Sequence, residues 1–219
     1  EASEELARNR RYKFLNEVKA QCRAVKIITA HHQDDVLETA TINLLRGTGI
    51  KGVIAIYNPE YLRPLLGFTK QDILNYARDN NLHYSEDSTN SSTKYLRNRV
   101  RKKLTDISYE DRKKLLELVR CLQQNYDSSQ EILSNIWQDC ELEVNTINRN
   151  KFVSLPHKVA CELVVFWLRK QQIKFDRKLV EKLVVDFKVG KNSSFFDVDK
   201  SARFLLTKHK ISLLTDYNV

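Results

Sequence analysis

The sequence predicts an α/β protein, in which a partial doubly wound parallel sheet is followed by a smaller, mainly helical domain with a terminal β-hairpin. A β-branched run over residues 25–30 leads into a polar turn and an amphipathic helix, which is the βα unit of a parallel sheet. From about residue 108 the apolar residues recur at helical spacing, and the last segments alternate as strands do. We therefore expect two domains, residues 1–107 and 108–219.

The first domain is expected to open with a helix over residues 4–22. Its apolar face is predicted to consist of Ala7, Phe14, Leu15, Val18 and Cys22. Arg11 falls on the same line, so it is predicted to be buried against a partner such as a carboxylate or a phosphate.

The helix that follows the first strand is predicted to carry Leu37, Ala40, Leu44 and Leu45 on its apolar face and to stop at Gly47. Further along the chain, Thr69-x-x-Asp72 has the pattern of a capping box at the start of another helix.

The second domain is predicted to begin with one long helix or two joined helices, between Leu115 and Cys140. Two more helices are expected over residues 159–171 and 177–188, the latter with Asp176 as its N-cap and Gly190 as its stop. Strands are predicted over residues 195–198, 203–207 and 211–214.

Composition excludes several classes of protein. The 219 residues are 42% hydrophobic and 30% charged, so a packed core is expected and bulk disorder is not. No apolar run approaches the roughly 18 residues of a membrane span, and we expect a cytoplasmic protein without membrane contact. The net charge of +9 favours a polyanionic partner. Four widely spaced cysteines lack a C-x-x-C pair and are predicted to be buried free thiols rather than metal ligands.

The densest polar cluster is His31-His-x-Asp-Asp-x-x-Glu38, at the exit of the first strand. Asp35 and Glu38 are three residues apart, so both carboxylates lie on one helix face. Paired carboxylates suit a Mg²⁺ that also binds phosphates, an ammonium group, or the orientation of a general base. Alternatively, Asp34 caps the helix and the other acids are ordinary first-turn residues. A zinc site is less favoured, because the spacing is not H-E-x-x-H.

Two further features could contact phosphates. Residues 94–103 contain six basic residues and no acidic one, and Arg97 and Arg101 share a face if the segment is helical. A solvated run of charge is the alternative. The turn that carries Gly47 and Gly49 could approach a nucleotide, or it could be only a helix stop and a loop.

These motifs form six blocks in a fixed order. The blocks are Glu4-x-x-Ala-Arg8-x-x-Arg11-Tyr12, Ala30-His-His-x-Asp-Asp-x-x-Glu38-Thr, Arg46-Gly-x-Gly49 with Gly52, Arg63-Pro-Leu-Leu66, Glu86-Asp-x-Thr-Asn90 and Tyr95-x-Arg-Asn-Arg-x-Arg101. Together they resemble the N-type ATP pyrophosphatases, or PP-loop family, and within it the tRNA(Ile)-lysidine synthetases. Beyond residue 108 the resemblance is one of layout.

The resemblance implies an adenine nucleotide alpha hydrolase-like fold and a two-step ligation. ATP, with Mg²⁺, adenylates the C2 carbonyl oxygen of the wobble cytidine in an isoleucine tRNA with anticodon CAU. The ε-amine of L-lysine then attacks C2 and displaces AMP. A homodimer is among the assemblies that we expect.

The resemblance also implies roles for individual residues. Those expected to be catalytic are His31, Asp35, Glu38 and Arg8. Those expected to bind ATP or the adenylate are Arg8, Arg97, Gly47 and Gly49. Asp35 and Glu38 are expected to bind lysine, and Asp35 to bind Mg²⁺. Those expected to bind tRNA are Arg63, Arg99, Arg101, Lys102 and Lys103, with Arg63 alternatively a surface arginine.

One departure from the family is clear. The family's Ser-Gly-Gly-x-Asp-Ser loop, whose backbone N–H groups cradle phosphates, does not occur in these residues. We expect it to precede residue 1, and we expect the 219 residues alone not to catalyse adenylation.

Three other functions stay open at this stage. A related PP-loop tRNA thiolase is disfavoured by scattered cysteines, and a Mg²⁺-dependent phosphohydrolase would need more clustered aspartates. A non-catalytic tRNA-binding module is the third alternative.

Overall fold

The computed structural model describes residues 2–85, 96–199 and 201–215. Its contacts divide the chain into two compact units, Glu1–Tyr126 and Asp127–Val219. The division lies within one long helix, whose first half packs on the first unit through side chains such as Val119. The predicted domain boundary at 107/108 therefore stays a proposal.

The described residues of the first unit form five helices, a 3₁₀ turn, two short strands and the start of a sixth helix. In chain order these are α1 (Ala2–Gln21), β1 (Ile27–Ile28), α2 (Gln33–Leu45), α3 (Ile50–Val53), the 3₁₀ turn (Ala55–Tyr57), β2 (Tyr61–Leu62), α4 (Lys70–Asp79), α5 (Leu96–Thr105) and α6 (Tyr109–Cys140). β1 and β2 are parallel, with Ile27 opposite Tyr61 and Ile28 opposite Leu62. The predicted parallel sheet is confirmed, although each strand is shorter than its apolar run.

The apolar face predicted for α1 is covered only in part, and the prediction is wrong for Ala7, Phe14 and Cys22. Phe14 is 61% exposed, and Arg11 and Cys22 are also exposed. Only side chains such as Leu15 and Val18 are partly covered. The two-residue strands β1 and β2 offer little apolar surface, so the described chain buries only a narrow strip of this helix.

Helix α2 is the centre of the first unit. Val36 and Ala40 pack with Ile54 and Ile56 on one side, and Leu37 packs with Val100 and Leu104 of α5 on the other. The predicted apolar face is confirmed at Leu37 and Ala40 but is wrong for Leu44 and Leu45, because both are 68% exposed. The last turn of α2 extends beyond the segments that cover its first turns.

The predicted helix signals of this unit are confirmed. Gly47 follows α2 with a φ of 69°, the left-handed conformation that ends many helices. At α4, the Thr69 hydroxyl accepts from the Asp72 backbone N–H at 3.1 Å, and the Thr69 N–H donates to the Asp72 carboxylate at 2.8 Å.

The second unit begins with the end of α6, and the part of it that the structure describes adds three helices and five strands. In chain order the other elements are β3 (Glu141–Glu143), β4 (Thr146–Asn148), α7 (Arg149–Ser154), α8 (His157–Lys170), α9 (Arg177–Val189), β5 (Ser194–Asp197), β6 (Ala202–Leu206) and β7 (Lys210–Thr215). Helix α6 is one continuous helix. Asp176 caps α9, since its carboxylate accepts from the Leu179 N–H at 2.8 Å, and Gly190 ends that helix.

The terminal hairpin is β6–β7, in a five-stranded antiparallel sheet of order β3-β4-β7-β6-β5. Strands β3 and β4 escaped prediction because three residues are too few to display an alternating pattern. The core beneath the sheet is aromatic: Trp167 and Phe187 each contact Phe204 edge to face, with centroids 4.9 and 4.8 Å apart.

All four cysteines are free. Cys140 is 1% exposed and Cys161 is partly buried, but Cys22 and Cys121 are exposed, so the prediction of buried thiols is wrong for these two. Among the residues that the structure describes, no helix is both long and apolar enough to cross a membrane.

Candidate active site at the start of helix α2

The predicted polar cluster lies beyond the carboxyl ends of β1 and β2, where parallel sheets bind ligands. The Thr29 N–H donates to the Leu62 carbonyl at 3.0 Å, which continues the pairing of the strands to the edge of the sheet. His32 is the N-cap of α2, and its N–H donates to an Asp35 carboxylate oxygen at 2.9 Å. The cap is therefore His32 and not Asp34.

Two acids of α2 meet two arginines of α5. Glu38 is 1% exposed and accepts from Arg97 Nε at 2.8 Å and from Arg101 Nε at 2.7 Å. Arg97 Nη2 also donates to Asp35 at 2.7 Å. These four residues are called the acid–arginine cluster below. Its charges cancel, which makes the burial of Glu38 tolerable.

The acid–arginine cluster holds a guanidinium firmly in its charged form. Burial alone would lower the pKa of Arg97, but the hydrogen bonds and negative charges of Glu38 and Asp35 outweigh burial and raise it. The segment that carries Arg97 is helical, as the shared face of Arg97 and Arg101 requires. The sequence did not indicate that this face would turn towards the acids of α2.

His31 lies at the same edge of the sheet. Its Nδ1 is 2.8 Å from the hydroxyl of Thr29. Burial lowers the pKa of His31; Asp35 opposes this shift, while the positive charges of Arg63, Arg97 and Arg8 add to it. His31 is therefore neutral at neutral pH, and a neutral imidazole can exchange a hydrogen bond with a substrate.

Asp34 has a structural role that the sequence did not suggest. Its carboxylate pairs with Arg112 of α6 and accepts from the Lys70 N–H of α4 at 3.1 Å. Arg112 also donates to the Leu104 carbonyl at 3.3 Å. Asp34 thus fixes the start of α2 against two other helices of the first unit.

Arg8 is exposed, and its guanidinium lies over the ring of Tyr12, 4.9 Å from the centroid. Tyr12 contacts Tyr61 edge to face at 4.9 Å, and Arg63 lies 5.2 Å from the Tyr61 centroid. The structure therefore joins the predicted residues Arg8 and Arg63 through two tyrosines. Tyr61 had no signal in the sequence beyond its place in β2.

Two arginines predicted to bind tRNA are half-buried and make hydrogen bonds within the first unit. Arg63 donates through Nη1 to the Ile56 carbonyl, so it braces the 3₁₀ turn, and Arg101 is committed to Glu38. A guanidinium that satisfies a buried carboxylate or carbonyl cannot leave without exposing an unpaired group. A role in tRNA binding stays a prediction for both residues, although these contacts already occupy part of each guanidinium. The outward face of α5 instead presents the exposed side chains of Arg99, Lys102 and Lys103.

The structure does not bring Gly47 and Gly49 to the cluster. Gly47 is twelve residues beyond Asp35 at the other end of α2, which corresponds to about 18 Å along a helix. A role in nucleotide binding for these glycines stays a prediction that their position does not favour. The predicted block over residues 86–90, the basic residue Lys94 and Tyr95 lie outside the described residues, as does the side chain of Glu4.

Asp35 does not fit the expected role of Mg²⁺ ligand. One of its oxygens accepts from His32 N–H and the other from Arg97, whose positive charge opposes a divalent cation at that distance. The two oxygens of Glu38 are likewise taken by arginines. Direct binding of a lysine ammonium by Glu38 would require an arginine to move, since the carboxylate is 1% exposed.

A cavity of about 290 Å³ lies elsewhere in the first unit, lined by residues that include Asn16, Lys26 and Glu60. It is at the amino ends of β1 and β2, where parallel sheets do not bind substrates. We assign it no catalytic role.

Comparisons with known proteins show what the chain is similar to. Residues 1–107 match the family described as a PP-loop domain. Over 109 residues the chain is 42% identical to the tRNA(Ile)-lysidine synthase of Thermotoga maritima, an alignment that covers 49% of this chain and 26% of that protein.

Two other relatives extend the match. The chain is 37% identical over 139 residues to the tRNA(Ile)-lysidine synthase of Exiguobacterium sibiricum, covering 61% of this chain and 34% of that protein. It is 27% identical over 226 residues to that of Mycoplasma mycoides subsp. mycoides SC, covering 98% and 53%. The chain thus spans between about a quarter and about half the length of these relatives.

Proposed function

On the premise that residues 1–107 are a PP-loop domain, we propose that this chain is part of a tRNA(Ile)-lysidine synthase, a ligase that forms C–N bonds. ATP would adenylate the C2 carbonyl oxygen of the wobble cytidine in tRNA(Ile) with anticodon CAU and release pyrophosphate. The lysine ε-amine would then attack C2 and displace AMP. The reaction would take place in the cytoplasm, and Mg²⁺ would arrive bound to the ATP phosphates.

The observation that carries this proposal is the meeting of Asp35, Glu38 and Arg97 beyond the strand ends, beside His31. Adenylation places negative charge on phosphate oxygens, and a fixed guanidinium stabilises such charge without reorganising. We assign that task to Arg97. Glu38 is then a positioning residue, because it holds Arg97 and Arg101 rather than touching substrate.

We propose that Asp35 and His31 act on the second step. The side chain of Asp35 is 10% exposed. A lysine ammonium could therefore replace one of the two groups that now donate to Asp35, the His32 N–H and Arg97. Neutral His31, whose Nδ1 contacts Thr29, would face the reacting base through Nε2. Arg8 would approach the adenylate from α1, close enough to influence the pKa of His31.

We propose that the outward face of α5 contacts the tRNA backbone. Arg99, Lys102 and Lys103 are exposed and lie on neighbouring turns, so they can meet successive phosphates. A contact of this kind depends strongly on salt concentration. A homodimer also stays a proposal, to be checked by light scattering.

The test is a modification assay on the full-length product of the gene that encodes this chain. The substrates are a tRNA(Ile) transcript with anticodon CAU, ATP, Mg²⁺ and isotopically labelled L-lysine, and the products are nucleosides analysed by mass spectrometry. Lysidine is expected. A thiolated base would favour the thiolase alternative, and tRNA binding without any modified base would favour a binding module; either result would overturn the proposal.

Two variants separate the assigned roles. Arg97→Lys is expected to slow pyrophosphate release about 100-fold, because one ammonium cannot reproduce the guanidinium contacts. Asp35→Asn is expected to let adenylated tRNA accumulate and to raise the KM for lysine. Arg78→Lys is the matched control, since Arg78 is exposed on α4, outside the assigned residues, and the change keeps its charge. It should change neither step.

A further inference from the structure

A cluster of potential metal ligands lies in the second unit, in a part of the chain to which the proposed ligase activity assigns nothing. His157 and Cys161 are one turn apart on α8, and Glu181 is on α9. One ligand atom from each residue lies within 4.8 Å of the others. Among the described residues this is the one such group of three.

Two of the three separations between these atoms match those around a tetrahedral ion. Cys161 Sγ is 3.6 Å from His157 Nε2 and 3.7 Å from Glu181 Oε2, and the last two atoms are 2.7 Å apart. Zinc–ligand distances of about 2.0 to 2.3 Å place tetrahedral ligand atoms about 3.3 to 3.6 Å apart. Two of the three edges already have the required length. The third must open by a fraction of an ångström, which the flexible Glu181 side chain can supply.

The chemistry of the donor set favours one class of ion. A thiolate, an imidazole and a carboxylate together suit Zn²⁺, whereas Mg²⁺ and Ca²⁺ prefer oxygen ligands alone. The imidazole and the carboxylate are 51% and 44% exposed, so the ion has a path from solvent. Arg177 Nε lies 3.9 Å from Oε1 of Glu181, the oxygen that does not belong to the group of potential ligand atoms.

We propose that His157, Cys161 and Glu181 form a Zn²⁺ site that ties α8 to α9, with water as the fourth ligand. Binding releases the thiol proton of Cys161 to solvent and replaces the hydrogen bond between His157 and Glu181. The proton on Nε2 of neutral His157 moves to Nδ1, which leaves the Nε2 lone pair for the ion. The ion joins two helices whose buried faces already pack together through residues such as Val164 and Val184. Its effect is to stabilise the second unit.

The test uses the complete chain with Cys22→Ser and Cys121→Ser, which remove the exposed thiols elsewhere. Co²⁺ serves as a spectroscopic probe for Zn²⁺. One equivalent should bind, with a thiolate-to-cobalt charge-transfer band that Zn²⁺ abolishes. Cys161→Ser should remove the band, and Glu181→Gln should weaken Co²⁺ binding about 10- to 100-fold. Glu162→Gln, an acid beside Cys161, is the matched control and should bind as the parent does.

Absence of the band, or its persistence in Cys161→Ser, would overturn the proposal. So would equal weakening by Glu162→Gln. A second measurement needs no variant at the site: Zn²⁺ should slow alkylation of Cys161 by iodoacetamide about tenfold or more, because the bound thiolate is shielded. An unchanged rate would mean that His157 and Glu181 form only an ion pair beside a free thiol.

Discussion

Arg101 of α5 donates to Glu38 of α2 at 2.7 Å, and the carboxylate that it meets is 1% exposed. Arg97 donates to the same carboxylate from one turn earlier in α5. A buried carboxylate with two guanidinium partners is a strong constraint on how two helices meet, because neither helix can shift without leaving a charge unpaired. The acid–arginine cluster therefore fixes the geometry of the candidate site as well as its charge.

Glu38→Gln should destabilise the contact between α2 and α5 by about 3 kcal/mol, because it leaves two arginines to share the one charge of Asp35. Both tryptophans lie in the other unit, so the measurement is amide hydrogen exchange of α2 and α5 rather than fluorescence. Glu17→Gln is the control, since Glu17 makes only an exposed pair with Lys13 at 3.9 Å. Equal protection in the two variants would contradict the constraint.

Each half of this cluster could be predicted from the sequence, but their meeting could not. The spacing of Asp35 and Glu38 gives one acidic face, and that of Arg97 and Arg101 gives one basic face. About sixty residues separate the halves, and helical periodicity carries no information on which faces meet. The group of potential metal ligands on α8 and α9 could likewise be predicted only in part. The spacing of His157 and Cys161 places them on one helix face, but only the packing of the helices brings Glu181 to them.

The errors of prediction also have physical causes. Leu44 and Leu45 continue the apolar pattern of α2, yet the layer that covers the helix ends before them. Apolar periodicity marks a face that can be buried, but the length of the covering elements decides how much of it is. Local signals were more successful: the capping box at Thr69 and the N-cap Asp176 depend on neighbours within three residues.

The stability of the first unit should depend on the protonation of His31. The pKa of folded His31 lies below its ordinary value of 6.5, chiefly through burial, so the unfolded chain binds the proton more tightly. Stability should therefore fall as pH drops below about 6.5. His31→Asn should lose less stability than the parent between about pH 7.5 and about pH 5.5, measured by urea unfolding with far-UV circular dichroism.

His83→Asn is the control for this experiment, because His83 is exposed. It should follow the parent at both pH values. A parallel loss in all three proteins would show that His31 is not the group responsible.

Gly47 and Gly49 should respond differently to alanine, although both would place the new Cβ in open space. Gly47 has a φ of 69°, so alanine there should cost about 1 kcal/mol in the last turn of α2. Gly49 has a φ of −68°, which alanine adopts freely, so Gly49→Ala should be neutral or slightly stabilising. Hydrogen exchange at the end of α2 measures the difference.

The Gly49 variant also tests whether this turn contacts the nucleotide, as the sequence predicts. In the full-length gene product, Gly49→Ala should leave the KM for ATP unchanged, because the turn is about 18 Å from Asp35. A rise of about tenfold or more in the KM for ATP would show that the glycine turn does contribute to nucleotide binding.

Arg149 should be the most sensitive polar side chain in the second unit. Its guanidinium donates to the carbonyls of Phe187 at 3.0 Å, Gly190 at 2.7 Å and Thr207 at 3.1 Å, and to the side chain of Asn192 at 3.1 Å. It thereby joins the end of α9 to the turn between β6 and β7. A lysine has one ammonium and cannot reach acceptors spread around a planar fork.

Arg149→Lys should therefore lower the free energy of unfolding of this unit by about 2 kcal/mol, through carbonyls left without a donor. Trp137 and Trp167 are both buried in the same unit, so fluorescence in a urea titration reports the change directly. Arg169→Lys makes the same chemical change at an exposed position, over the ring of Phe175, and should stay within about 0.5 kcal/mol of the parent. Equal midpoints for the two variants would mean that the four acceptors find other donors, and that the α9 end is held by its aromatic core alone.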